Sequence, residues 1–223
     1  FMNSIAGEFA IDWKSENLER VTDTIIKKYN AEIHSQSSIE GMIELKEEHG
    51  FTADDVENIE IDIFDVAFHI IGGGEEGDKT LVRTKEEADH SLQYMVSAAL
   101  LDGPVMPEQY EQERIEAEDI QSLLQRVNVS PNQEFSNHFP GEMPVKLTVN
   151  LKDGNAFQIE KRDYEGFHSR PMSWETIIQK FERLADPYTT IDLREKIIHT
   201  IQNFEEHSLS DLTQLLAEVE QTS

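Results

Sequence analysis

The stretch T-K-E-E-A-D-H-S-L-Q-Y-M-V-S-A-A-L-L-D-G, residues 84–103, decides how the rest of the chain is read. Thr84 followed three positions later by Glu87 has the form of a capping box, in which hydroxyl and carboxylate each satisfy an amide left unpaired at a helix start. Leu92, Met95, Val96, Ala99 and Leu100 then recur at helical spacing, and Gly103 supplies a stop. A single embedded helix with polar first turns is predicted. His90 and Tyr94 are four apart, which puts both on one face of such a helix. On spacing alone they read as hydrogen-bonded core residues, the common fate of buried His and Tyr. The other reading is that two protic groups enter a buried region to do chemistry.

Outward from that helix, the bulk properties set bounds. The 223 residues suffice for a sizeable core. With 45 acidic against 19 basic residues the net charge is −26, which argues against a nucleic-acid backbone or an anionic membrane as partner. No apolar run reaches the length of a membrane span and no basic-then-apolar leader opens the sequence, so a cytoplasmic location is expected. The chain has no cysteine. Thiol nucleophiles and thiolate-held zinc or iron–sulfur clusters are therefore excluded from these residues, and any chemistry must use other side chains. His199 and His207 lack a carboxylate at ligand spacing, so no metal and no cofactor is assigned.

Taken in order, residues 1–19 form an apolar lead with Ile5, Phe9, Ile11 and Trp13. V-T-D-T-I-I-K-K-Y, residues 21–29, is rich in β-branched side chains and predicts a strand, although Leu18, Val21, Ile25 and Tyr29 also fit a helix. A helix with Ile39, Met42, Ile43 and Lys46 follows and stops at Gly50, with Ser35 as a plausible cap. A strand running into such a serine-rich helix start would leave amides and hydroxyls for an anion, although the serines could merely cap. Glu57 to Phe64 alternates as a half-buried strand. Gly72, Gly73 and Gly74 read as a flexible connection, because no Gly-Lys-Ser/Thr follows to make a phosphate cradle. Short helices are predicted near 107–113 and 117–126. Residues 127–142 show no period beyond a short strand at Val127 to Val129, and His138 reads as a loop histidine. V-K-L-T-V-N-L-K-D-G-N-A-F-Q-I is the clearest hairpin, turning at Asp153-Gly154. A helix opened by Pro171 and Ser173 runs to Leu184, Asp186-Pro187 marks a boundary, and amphipathic helices near 190–205 and 208–219 end the chain. Helices and antiparallel-looking strands interleave without a βαβ rhythm, so the fold class is α+β, a mostly antiparallel sheet packed with helices and followed by C-terminal helices.

E-A-D-H-S-L-Q-Y-M-V-S-A-A-L-L-D-G resembles the signature of the MmgE/PrpD family, whose activities include 2-methylcitrate dehydration and cis-aconitate decarboxylation. A-E-I-H-S-Q-S and W-E-T-I-I-Q-K-F extend the likeness. The resemblance implies that 1–19 are the tail of an absent N-terminal helical domain, that 20–187 are a lid-like α+β domain, and that 188–223 are helices returning to that absent domain. Roughly the C-terminal half of a family member would then be present. It implies a metal-independent hydro-lyase acting on a branched tricarboxylate, with an inactive fragment and a homodimer. Carried over by position, Lys27 or Lys28 would neutralise a carboxylate, His34 would exchange a proton and Tyr94 would donate to an oxygen. Glu32, Ser35 and Lys85 would help bind, and His90 is added from helical geometry. Glu32 stands where the decarboxylase branch carries histidine, which favours dehydration. The competing expectations are a non-catalytic dimerisation domain, or a family member catalysing decarboxylation or epimerisation.

Overall fold

The computed structural model describes residues 12, 14–15, 19, 24–74 and 77–219. The hairpin read from alternation forms one end of the sheet: β3 (Val145–Leu151) pairs antiparallel with the edge strand β4 (Ala156–Lys161). The turn is wider than the two-residue form, since Gly154 N donates to Leu151 O at 3.0 Å and Leu151 N to Asn155 O at 2.8 Å. The other edge of β3 pairs antiparallel with β1 (Val56–Ile63), which in turn pairs parallel with β2 (Val127–Pro131). The order is β2-β1-β3-β4, a mixed sheet that is mostly antiparallel. Period-two alternation sends Ile59, Ile61 and Ile63 with Val145, Leu147, Val149 and Leu151 into the core.

Helix α1 (Gln36–His49) lies across this sheet and stops at Gly50, as the sequence predicts. Gly41 permits the approach: a Cβ there would stand 3.1 Å from Leu147 Cδ1 and 3.3 Å from Ile159 Cγ2. The long crossover from β1 to β2 carries α2 (Lys85–Asp89), α3 (Leu92–Asp102) and α4 (Glu118–Leu124). Its apolar positions, including Leu92, Met95, Val96, Ala99 and Leu100, are buried against α1 and the sheet. After β4 come α6 (Trp174–Ala185), α7 (Ile191–Gln202) and α8 (Leu209–Ala217). Neither α6 nor α8 has a fully buried residue, although both are amphipathic. No helix among the described residues is long and apolar enough to cross a membrane.

Four local expectations are corrected. Residues 24–31 are not a strand: they run as irregular backbone outside the sheet, while 21–23 and the apolar lead with Ile5, Phe9, Ile11 and Trp13 lie outside the described residues. The β-branched pair Ile25-Ile26 gains no ladder, and Ile26 N instead donates to Gly166 O at 2.8 Å. Gly166 has φ 114°, and a Cβ there would strike Ile26 O, so this contact needs glycine. The 84–103 helix is broken. The capping box of Thr84 and Glu87 is present, but Ser91 acts as a second cap by accepting from Tyr94 N at 3.0 Å, so helix restarts after His90. The glycine run is partly ordered by a π-turn at Phe68–Gly72, whose Gly72 O accepts from Gln93 Nε2 at 2.8 Å. Residues 127–142 contain α5 (Gln133–His138), capped by Asn132, so His138 ends a helix and lies 3.6 Å from Glu142.

Candidate functional site

Asn30 N donates to Val105 O at 2.9 Å, which anchors the irregular segment just before the 3-10 turn Ile33–Ser35 that feeds α1. In this turn Glu32 caps with its side chain: Oε2 accepts from His34 N at 2.7 Å and Oε1 lies 2.8 Å from His34 Nδ1. An ionised carboxylate only accepts, so the proton of that bond belongs to Nδ1, and in the neutral imidazole Nε2 is left as the acceptor. The ring packs edge-on to Phe64, 5.5 Å between centroids, and 5.7 Å from Phe139, while Phe64 and Phe139 stack on each other at 4.4 Å. Side-chain exposures of 12 % for His34 and 13 % for Glu32 leave this dyad mostly shielded by apolar rings but not sealed.

Ser35 occupies the N-cap position of α1 without capping it, a correction to the expected role, because its hydroxyl donates to Glu32 O at 2.7 Å. Two and three residues on, the buried hydroxyls of Ser37 and Ser38 have no hydrogen-bond partner among the described residues. Unpaired buried hydroxyls are rare, and here they stand in the first turn of a helix whose amides face the same end. A helix start can accept an anion and an oriented imidazole can exchange a proton, which is the chemistry these side chains have available.

The two lysines of the irregular segment separate. Lys28 is committed, 2.8 Å from Glu165 and 3.3 Å from Glu40. Glu40 is nearly fully buried on α1 and also binds Lys161 at 3.0 Å and Arg170. Burial opposes its ionisation, but the hydrogen bonds from Arg170 and Lys161 outweigh it and hold the carboxyl at about 2. Lys27 is exposed and makes no ion pair with a described residue.

Tyr94 is fully buried and its hydroxyl donates to Gln109 O. Gln109 Oε1 accepts from Met106 N at 2.9 Å, so this phenol holds the 106–110 turn. Burial pushes it up to about 12. His90 is exposed, with Nδ1 3.2 Å from Glu86 O, and Lys85 is exposed at the start of α2. The restart at Ser91 is why His90 and Tyr94 do not share a face. The structure thus joins Glu32, His34 and Ser35, while none of the contacts of Tyr94, His90 or Lys85 is shared with that group. Sequence reading flagged the serine-rich helix start without singling out Ser37 and Ser38, and it missed Glu40. Gln36, Glu40, Glu44 and Glu47 do form a polar stripe at helical spacing, but its cationic partners come from remote segments.

The MmgE/PrpD C-terminal domain family matches residues 29–206. Cis-aconitate decarboxylase of Mus musculus is 26 % identical over 167 residues, covering 74 % of this chain and 32 % of the relative. The Homo sapiens decarboxylase is 29 % identical over 134 residues, covering 60 % and 28 %. 2-Methylcitrate dehydratase of Escherichia coli K12 is 28 % identical over 149 residues, covering 64 % and 30 %. The chain spans about a third of the length of these relatives.

Proposed function

The chain belongs to the MmgE/PrpD family, and from that premise we propose that it supplies one wall of a lyase site that dehydrates 2-methylcitrate or a related tricarboxylate. The carrying observation is the Glu32–His34 pair at the start of α1, with the unpaired Ser37 and Ser38 hydroxyls one turn on. In the reaction His34 Nε2 takes the proton from the carbon next to a carboxylate, the electron pair forms the double bond, and the departing hydroxyl leaves as water with a proton from an acid on the opposite wall. Glu32 fixes the ring and offsets the imidazolium charge. Lys27, rather than the paired Lys28, holds a carboxylate. Tyr94 positions the 106–110 turn from beneath. The opposite wall belongs to a helical domain, which the exposed apolar faces of α6 and α8 are shaped to meet.

A second reading, decarboxylation of an unsaturated tricarboxylate, is favoured by the mouse decarboxylase, whose match covers more of the chain than the dehydratase match. One assay separates the two. 2-Methylcitrate and cis-aconitate are offered to this chain alone and to the chain joined to the remaining part of the Escherichia coli dehydratase. The expected result is unsaturated product from 2-methylcitrate only in the joined protein, abolished by His34→Gln. Release of carbon dioxide from cis-aconitate instead selects the second reading, and no turnover of either by a folded chimera overturns both.

A further inference from the structure

We infer that Lys180 of α6, which lines a cavity of about 430 Å³, acts with Lys27, whose carbonyl it binds, as a carboxylate-binding pair. The inference rests on the reading that the ligand is a carboxylic acid anion. The cavity has three cations in its lining, Lys28, Lys180 and Arg183. Lys28 is taken up by Glu40 and Glu165, and Arg183 by Glu108 at 2.7 Å. Lys180 has no carboxylate of a described residue within ion-pair distance. Its ammonium donates instead to the backbone carbonyl of Lys27, a second lysine that makes no ion pair with a described residue. Two neighbouring lysines with no carboxylate of a described residue in ion-pair reach stand out in a chain with 45 acidic residues.

Burial, and then the charge of Lys27, push the Lys180 ammonium below its ordinary value. The cavity also contains Glu40, Glu44 and Glu47, but Glu40 is paired with Lys28, Lys161 and Arg170, Glu44 with Lys161 at 2.7 Å, and Glu47 is not within ion-pair distance of Lys180. A ligand carboxylate between the two lysines would supply the missing charge. The pair costs stability while empty, and that cost is recovered on binding, a pattern that suits a ligand site better than a structural ion pair. Nothing in the spacing of W-E-T-I-I-Q-K-F distinguishes Lys180 from a solvated lysine of an amphipathic face; only the fold brings it to Lys27.

The test follows the lysine side-chain carbons and the His34 ring by NMR during pH titration of the intact chain, with and without citrate as the probe tricarboxylate. Lys180 is expected to titrate below the surface lysines, and citrate is expected to raise its midpoint by about one pH unit, as a nearby opposite charge does. Lys27→Met should raise the Lys180 midpoint without citrate and shrink the citrate effect. Equal small shifts at every lysine, or none at Lys180, overturn the inference. A citrate response at His34 but not at Lys180 leaves the proposed lyase site standing and removes Lys180 from it. A response at Lys180 but not at His34 does the reverse. Lys180→Arg, which keeps the charge, should retain a citrate response at His34, and its loss in a folded Arg variant also overturns a purely electrostatic pairing.

Discussion

Glu32 holds His34 at two points, the backbone amide at 2.7 Å and ring Nδ1 at 2.8 Å, so the imidazole is oriented by a residue two positions away. Such a grip is local and survives changes elsewhere in the fold. Glu32→Gln keeps the cap to the amide while removing the charge that offsets an imidazolium. In a catalytically complete protein it should lower turnover roughly tenfold to a hundredfold, and His34→Gln at least a hundredfold, the ordinary range for a positioned general base. Equal turnover in folded His34→Gln and parent would remove the dyad from the chemistry.

Glu40 ties part of the stability to pH. Its folded value of about 2 lies below the unfolded 4.5, so its contribution is fully present above pH 4.5 and is lost as pH falls toward 2. The shift corresponds to a stability of order 3 kcal/mol for this almost fully buried group. Denaturant midpoints between pH 6 and pH 2 should show that loss, and Glu40→Gln should flatten it while destabilising the neutral protein by about 3 kcal/mol or more, since three cations lose their carboxylate.

Tyr94→Phe separates scaffold from chemistry. Removing a phenol bonded to Gln109 O should cost about 1 kcal/mol or somewhat more, because the carbonyl is left buried. Turnover should stay within a few-fold. A folded Phe variant slowed a hundredfold would return Tyr94 to a proton-donating role.

Turnover is expected to survive chelators. The chain has no cysteine, and among the described residues no group of three or more His, Asp or Glu side chains is placed to hold a metal ion. Loss of activity in EDTA, restored by iron or zinc, would contradict this.

The isolated chain should self-associate. Trp174 is 52 % exposed, Leu209 67 % and Leu216 50 %, on helices with no fully buried residue. Sedimentation at micromolar concentration is expected to show dimers or larger species with dye-accessible apolar surface, and a clean monomer without dye binding would contradict it.

Periodicity told most of the fold. The alternation of β1 and β3 and the spacing of α1 and α3 were visible because one side of each element is buried, which writes its period into the residues. What failed was local chemistry overridden by context. Ile25 and Ile26 have strand propensity, but their backbone meets Gly166 rather than a sheet edge. Ser91 restarts a helix that side-chain spacing alone carries straight through, because buried Ala88 before the break and Leu92 after it are four apart and keep the apolar pattern. Of the candidate site, Glu32 and His34 were legible as neighbours, whereas Lys180 and Glu40 depend on contacts spanning more than a hundred positions, which no local pattern encodes.

The irregular segment that carries Lys27 is held at its ends by backbone hydrogen bonds, Ile26 N to Gly166 O and Asn30 N to Val105 O, and between them by charged groups: Lys28 pairs with Glu40 and Glu165, and the Lys180 ammonium donates to the Lys27 carbonyl. With no ladder beneath it, its seating depends on ionic strength in a way the sheet does not. Lys28 is about a quarter exposed, within reach of mobile counter-ions, and its pairs weaken as the Debye length contracts. The region that meets an anionic ligand would thus loosen in concentrated salt while the remainder of the domain keeps its shape, so ligand affinity should fall with salt more steeply than competition by the anion alone accounts for.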